Sequence, residues 1–240
     1  MRSRTTPHPG PLPQGERAGV PRPGRRRLLA GGAAALALAT PLARAAAALA
    51  TPAQGKGPFY PLELPLDQDN NLVQVAGVSG TAQGTILDVF GQLRDEQGRP
   101  LAGVALEIWQ VNAFGRYHHP HDQQDKPWDP SFQGFGRTRT DAQGAYRFRT
   151  VRPVAYPGRA PHIHFALSDS RFATFYTQMY LAGAPENERD FLLTSVRDRR
   201  ARDSLIVNLE PAPAAARAQG AELTGRFDIV LGQTVLSRKP

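Results

Sequence analysis

The 240-residue chain contains no cysteine. A disulfide framework and a thiolate-held zinc or iron–sulfur site are therefore excluded. No glycine loop of the kind that cradles phosphate is present, and there is neither a heptad pattern nor an internal repeat. A long apolar run is also missing: Ala30 to Pro41 falls short of the roughly 20 residues that a membrane-spanning helix needs. The formal charge is +8, but eight arginines and one glutamate precede Thr51, which makes that segment +7 and leaves 8 − 7 = +1 for the rest. A nearly neutral body lacks the broad basic surface that holds nucleic acid.

The basic residues mark a leader. Arg25-Arg26-Arg27 precedes Leu28, Leu29 and the small-residue run to Pro41, and Ala43-Arg44-Ala45 and Ala48-Leu49-Ala50 are both A-x-A cleavage candidates. Together these form the n-region, h-region and cleavage site of an export signal, and the paired arginines resemble the twin-arginine type. A buried Ala-rich helix or an uncleaved anchor are the other readings of the same run. Residues 1–50 are expected to be this leader, with Met1 to Gly24 disordered. Residues 51–240 are expected to form one domain, periplasmic and without stable membrane insertion after processing.

From Gly84 the pattern acquires a period of two. Thr85–Leu93, Val104–Gln110, Ala145–Val151, Ile163–Leu167, Phe172–Leu181, Leu205–Leu209 and Gly225–Leu231 read as strands, with turns at Asp95-Glu96-Gln97-Gly98 and Asp141-Ala142-Gln143-Gly144. Short strands punctuated by Gly, Pro and Asp predict an all-β fold: a β-sandwich of mostly antiparallel strands, with long active-site loops and one or two short helices. One helix is expected within Glu186 to Asp203, with Asn187 as its cap. Pro211 to Ala221 reads as a linker, and Val111 to Arg139 as a long irregular connection. The edge strands and the charged helix are candidate interfaces for a homo-oligomer.

The densest chemistry lies in Tyr156 to His164, YPGRAPHIH. His162 and His164 alternate around Ile163, so on a strand both imidazoles share one face. Two parallel imidazoles suit a metal, although a surface strand with two solvated histidines has the same pattern. His118, His119 and His121 in the long connection are further candidate ligands, or simply solvated. Gly57-Pro58-Phe59-Tyr60-Pro61 places two aromatics in a stiff extended segment that either packs across a core or lines a cleft.

Read together and in order, GPFYP at 57–61, DEQGRPLAGVALEIWQVNAFGRY at 95–117, TDAQGAYRFRT at 140–150, YPGRAPHIHF at 156–165, TQMY at 177–180 and RFDIVL at 226–231 resemble the intradiol ring-cleavage dioxygenases, the catechol and protocatechuate 3,4-dioxygenase group. The resemblance implies a mononuclear non-haem Fe(III) held by Tyr117, Tyr156, His162 and His164. It implies that Arg159 stabilises anionic oxygen on the substrate, that Gln178 shapes the surroundings of the metal, and that Tyr156 is the ligand a catechol displaces. Pro58 and Tyr60 would lie near the substrate pocket. A catechol-type molecule and O2 are the implied partners, and a muconate-type diacid the product. This chain departs from the better-known members in a short loop between Tyr156 and His162, in Gly158 where the protocatechuate enzymes carry tryptophan, and in its leader. The stretch DEQGRPLAGV alone is also similar to transthyretin-like sandwiches, so a non-catalytic binding module is the alternative expectation.

Overall fold

The computed structural model describes residues 48–237. Most of the expected leader, including the first cleavage candidate, lies outside that range. The second, Ala48-Leu49-Ala50, lies within it, and the Ala48 N–H donates to the Glu96 carbonyl at 2.8 Å.

Two sheets stack around a shared core. In the first, β1 (Ile86–Asp95) pairs antiparallel with β4 (Ala145–Val151), and β9 (Leu223–Arg226) and β10 (Ile229–Leu231) pair in parallel with successive stretches of β1. β8 (Leu209–Pro211) lies beyond β9. The second sheet runs β3 (Phe135–Arg139), β2 (Ala105–Trp109), β5 (His162–Asp169), β6 (Phe172–Leu181), β7 (Ile206–Val207), in that order. Period-two alternation explains the core. Leu87, Val89, Leu93 and Phe148 from one sheet meet Leu106, Ile108, Ile163, Phe165 and Leu167 from the other, all essentially fully buried. Among the described residues no helix is long and apolar enough to cross a membrane.

The expected sandwich is present, with three local differences. β3 falls inside the connection read as irregular. Its Gly136 interrupts the alternation, and a side chain there is excluded because a Cβ would lie 2.4 Å from Leu72 Cδ1 and 2.6 Å from the Asp69 carbonyl. The helix expected over 186–203 is instead a 3-10 turn (Pro185–Glu188) and two short helices, α1 (Phe191–Ser195) and α2 (Arg199–Asp203). Asp190 accepts from the N–H groups of Leu192 and Leu193, and Asp198 from that of Ala201, so each aspartate starts a new helix. Asn187, expected as the cap, donates instead to the Leu181 carbonyl at 2.7 Å. The linker Pro211–Ala221 carries a short helix, α3 (Ala214–Arg217), and α4 (Gln233–Leu236) follows β10.

The pairing of β1 with β4 is fastened by a buried carboxylate. Asp88 accepts from Arg149 Nε at 2.8 Å and Nη2 at 3.0 Å, and also from Arg147. Replacement by asparagine removes the charge from these bonds. Asp88→Asn is expected to lower the unfolding free energy by about 2 kcal/mol, read from the denaturant midpoint at constant m-value.

Candidate functional site

The register of the second sheet puts a row of polar and aromatic side chains on the face opposite the core. Trp109 on β2 pairs with His164 on β5, His164 with Gln178 on β6, and His162 with Tyr180. The N-terminal segment and the loop after β2 cover this face, so His162 and His164 are buried although they point away from the core.

Four donor side chains converge there. The His162 Nδ1–H donates to the Ala160 carbonyl at 2.6 Å, which sets the tautomer and leaves the Nε2 lone pair 3.1 Å from His164 Nε2. Tyr117 Oη lies 3.4 Å from His162 Nε2 and 3.2 Å from His164 Nε2. The Asn112 side chain accepts from the N–H groups of Phe114 and Arg116, and Asp122 accepts from the N–H of Tyr117 at 2.7 Å, so the loop delivers this phenol in one orientation. Tyr156 enters from the opposite side, on a tight turn closed by the Arg159 N–H and the Tyr156 carbonyl at 2.9 Å. Its ring centroid is 5.6 Å from that of Tyr117, with the two ring planes nearly perpendicular. His164 Nδ1 is buried without a partner, and its ring stacks on Trp109 at 4.7 Å.

Burial dominates the electrostatics. It pushes His162 down to about 3, helped by the Arg159 charge, and holds His164 well below the ordinary histidine range, helped by His162 and Arg159. Both imidazoles are therefore neutral lone-pair donors at neutral pH. Burial also raises the Tyr117 and Tyr156 phenols, with the Arg159 charge opposing it at each. Among the described residues no three His, Cys, Asp or Glu side chains gather into a metal-holding group. The side chains here that could hold a metal are two imidazoles and two phenols, a donor set suited to a hard, highly charged cation once the phenols ionise.

Arg159 is built into the wall beside Tyr156. Its Nε donates to Asp190 at 2.9 Å, its Nη2 to Gln178 Oε1 at 2.6 Å and to Tyr180 Oη at 3.2 Å, and its Nη1 to Tyr156 Oη at 3.3 Å. Asp190 is 1% exposed; besides Arg159 it accepts from the Ala160 N–H and caps α1. Burial penalises its charge, but these donors outweigh the penalty and hold its carboxyl low.

The sequence-level candidates divide clearly. Tyr117, Tyr156, Arg159, His162, His164 and Gln178 are brought together. Tyr60 packs edge-on against Trp109 at 5.0 Å and donates to Glu107 at 2.9 Å, while Pro58 is exposed. Their neighbour Phe59 stacks on Tyr117 at 4.5 Å. His118 stacks on Trp128, the His119 and His121 rings meet edge-on at 5.0 Å, and none of the three rings hydrogen-bonds to the four donors. Sequence reasoning missed Asp190 and Gln54. Gln54 Oε1 accepts from Tyr180 Oη at 2.7 Å, and the Gly55 carbonyl accepts from Gln178 Nε2 at 3.1 Å. Nothing in the local pattern marks either residue, since each acts across more than 30 positions of chain.

Two outcomes follow for metal-stripped protein. Asp190→Asn leaves the Arg159 guanidinium without its buried partner and is expected to cost about 3 kcal/mol, by denaturant unfolding. Acid sensitivity should begin well above the carboxylate range. The unfolded chain protonates His162 and His164 near pH 6.5, whereas the native state resists until far lower. Their contribution is therefore complete above about pH 6.5 and is lost as pH falls toward 3, with a slope of up to ~1.4 kcal/mol per unit per histidine. Stability measured from pH 7 to 4 should show this slope, and His162→Gln should reduce it.

Comparison with known proteins agrees with this geometry. The dioxygenase family model matches residues 56–233. The protocatechuate 3,4-dioxygenase beta chain of Burkholderia cepacia is 41% identical over 175 residues, covering 70% of this chain and 72% of its own. Catechol 1,2-dioxygenase 2 of Acinetobacter lwoffii is 30% identical over 72% of this chain and 63% of its own. Among solved structures, the dioxygenase domain of a dioxygenase–carbohydrate-binding fusion from Streptomyces sp. SirexAA-E superposes with a TM-score of 0.58 at 30% identity, covering 76% of this chain and 98% of its own. These matches favour the enzyme over the metal-free sandwich. The chain belongs to the intradiol ring-cleavage dioxygenases, oxidoreductases that open catechol-type rings between the two hydroxyl-bearing carbons with dioxygen.

Proposed function

We propose that Tyr117, Tyr156, His162 and His164 hold a single ferric ion and that this centre opens a catechol-type ring to a muconate-type diacid, with both atoms of O2 entering the product. The observation that carries this is the convergence of two buried neutral imidazoles with two phenols, within 3.1–3.4 Å where the atoms of Tyr117, His162 and His164 meet. Burial opposes ionisation of both phenols, so their anions require a strong local positive charge, which a trivalent ion provides. When bound, the ferric ion supplies a Lewis-acidic, redox-active centre that makes a chelated catecholate reactive toward dioxygen.

The chain's own residues divide the remaining work. Tyr117 is buried, whereas Tyr156 is partly exposed. Tyr156 is thus the phenol an incoming diol meets, and its Oη takes one of the diol's protons. Arg159 favours the Tyr156 anion until then and afterwards faces the substrate's anionic oxygen through Nη1, since Nε and Nη2 are committed to Asp190, Gln178 and Tyr180. Gln178 keeps that guanidinium in place. Phe59 and Trp109 hold water away from Tyr117 and His164. Gly158 is exposed, and a Cβ there meets nothing within 4 Å, so the mouth beside Tyr156 is open to ring substituents. Export by the twin-arginine route, for which Arg25-Arg26-Arg27 and the apolar run to Pro41 speak, would deliver the enzyme folded and metal-loaded to the periplasm.

The test is oxygen uptake and product analysis with a panel of catechols. Tyr156→Phe is expected to lower kcat by about 10²–10⁴, the range for losing a positioned base, with iron content measured in parallel. His162→Ala should lose both iron and activity. Full ring cleavage by iron-replete His162→Ala would overturn the ligand assignment.

A further inference from the structure

Arg159 Nη2 meets two acceptors, Gln178 Oε1 at 2.6 Å and Tyr180 Oη at 3.2 Å. Both acceptors are oriented by two neighbouring residues of the N-terminal segment. Gln178 Nε2 donates to the Gly55 carbonyl at 3.1 Å, which turns its Oε1 toward the guanidinium. Tyr180 Oη lies 2.7 Å from Gln54 Oε1, and Gln54 Nε2 donates to the Leu192 carbonyl at 3.1 Å. Exchanging the two ends of the Gln54 amide would set oxygen against the Leu192 carbonyl, so its orientation is fixed. The segment itself is tied to β6: the Gln54 N–H donates to the Tyr176 carbonyl at 2.8 Å, and the Thr177 hydroxyl to the Pro52 carbonyl at 2.8 Å.

A phenol has a single proton to donate. At Tyr180 two acceptors lie within its reach, Gln54 Oε1 at 2.7 Å and Gln178 Oε1 at 3.0 Å. Gln178 Oε1 already accepts from Arg159. With the proton directed at Gln54, the Tyr180 oxygen accepts from Arg159 and Gln178 Oε1 serves the guanidinium alone. Without the Gln54 acceptor the proton turns to Gln178 Oε1 and competes with Arg159 there. Tyr180 and Gln178 are fully buried, so this competition is settled among these side chains.

We infer that Gln54 is a positioning residue for ring cleavage. By accepting the Tyr180 proton it keeps the Tyr180 oxygen an acceptor for Arg159 Nη2, and so holds Nη1 of the same guanidinium toward Tyr156 Oη. Gln54 reaches the reaction only through Tyr180 and Arg159, and the inference rests on the role given to Arg159 above.

The test is steady-state ring cleavage by iron-replete variants, with thermal midpoints of the metal-free proteins read in parallel to show that each is folded. Gln54→Met keeps the side-chain length and removes the acceptor; its kcat should fall roughly fivefold or more. Gln54→Glu keeps an acceptor for Tyr180 and loses only the donor to Leu192, so its kcat should stay within about threefold of the parent. A purely structural tie to Leu192 would be lost equally in both. Tyr180→Phe removes the hydroxyl that Gln54 orients, and in that background Gln54→Met should change kcat by less than about twofold. Normal kcat in Gln54→Met, no recovery in Gln54→Glu, or the same loss with and without the Tyr180 hydroxyl would overturn the inference. Arg159→Lys keeps the charge and loses the fork. Full kcat in that variant would overturn the role of Arg159 itself, whereas a loss there beside normal kcat in Gln54→Met would overturn the role of Gln54 alone.

Discussion

Side chains on a strand alternate between faces, and the site depends on this constraint above any other. On β5, Ile163, Phe165 and Leu167 enter the core, so His162 and His164 must point the other way. The flanking strands obey the same parity and bring Trp109, Gln178 and Tyr180 to the same face. A slip of one residue would bury imidazoles in the core and expose three large apolar groups, so the hydrophobic effect that stabilises the sandwich also sets the geometry of the donors. The two imidazoles are thereby anchored to a strand of the core, with Tyr117 and Tyr156 brought in on loops held by hydrogen bonds.

That second face would be wet without the segment from Ala48 to Tyr60. Thr51 exchanges two hydrogen bonds with Val230, the Gln54 N–H donates to the Tyr176 carbonyl, and the Pro52 carbonyl accepts from Thr177, so the segment extends the sheet edge toward the site. It then turns at Gly57, where φ is +75° and a Cβ would lie 3.2 Å from His164 Cε1, and ends with Phe59 on Tyr117. Buried in this way, Arg159 and Asp190 form an ion pair whose value lies in position. Asp190 accepts four hydrogen bonds, and Arg159 donates four, one of them from Nη1 to Tyr156.

Much of this was legible in the sequence because it rests on local rules. Alternation announced β1, β2, β4, β5 and β6, and the H-x-H spacing announced the shared face of His162 and His164. Tyr117, Tyr156, Arg159 and Gln178 were legible through their resemblance to the family and not through any periodicity. What stayed hidden depends on distant partners. β3 carries a glycine chosen by the Asp69–Leu72 segment crossing it. The helix over 186–203 breaks because Asp190 is drawn to Arg159 and Ala160 as well as to its own helix. Tyr60 and Phe59 are adjacent aromatics, and only Glu107, on a strand far along the chain, decides which of them faces the phenols.

The most direct measurement is the visible absorption spectrum of the iron-loaded protein, before and after addition of catechol without oxygen. The account predicts a broad tyrosinate-to-Fe(III) charge-transfer band that shifts when catechol binds and is lost in His162→Ala. A protein that takes up iron but shows no such band, or whose band ignores catechol, would contradict the four-residue ferric site.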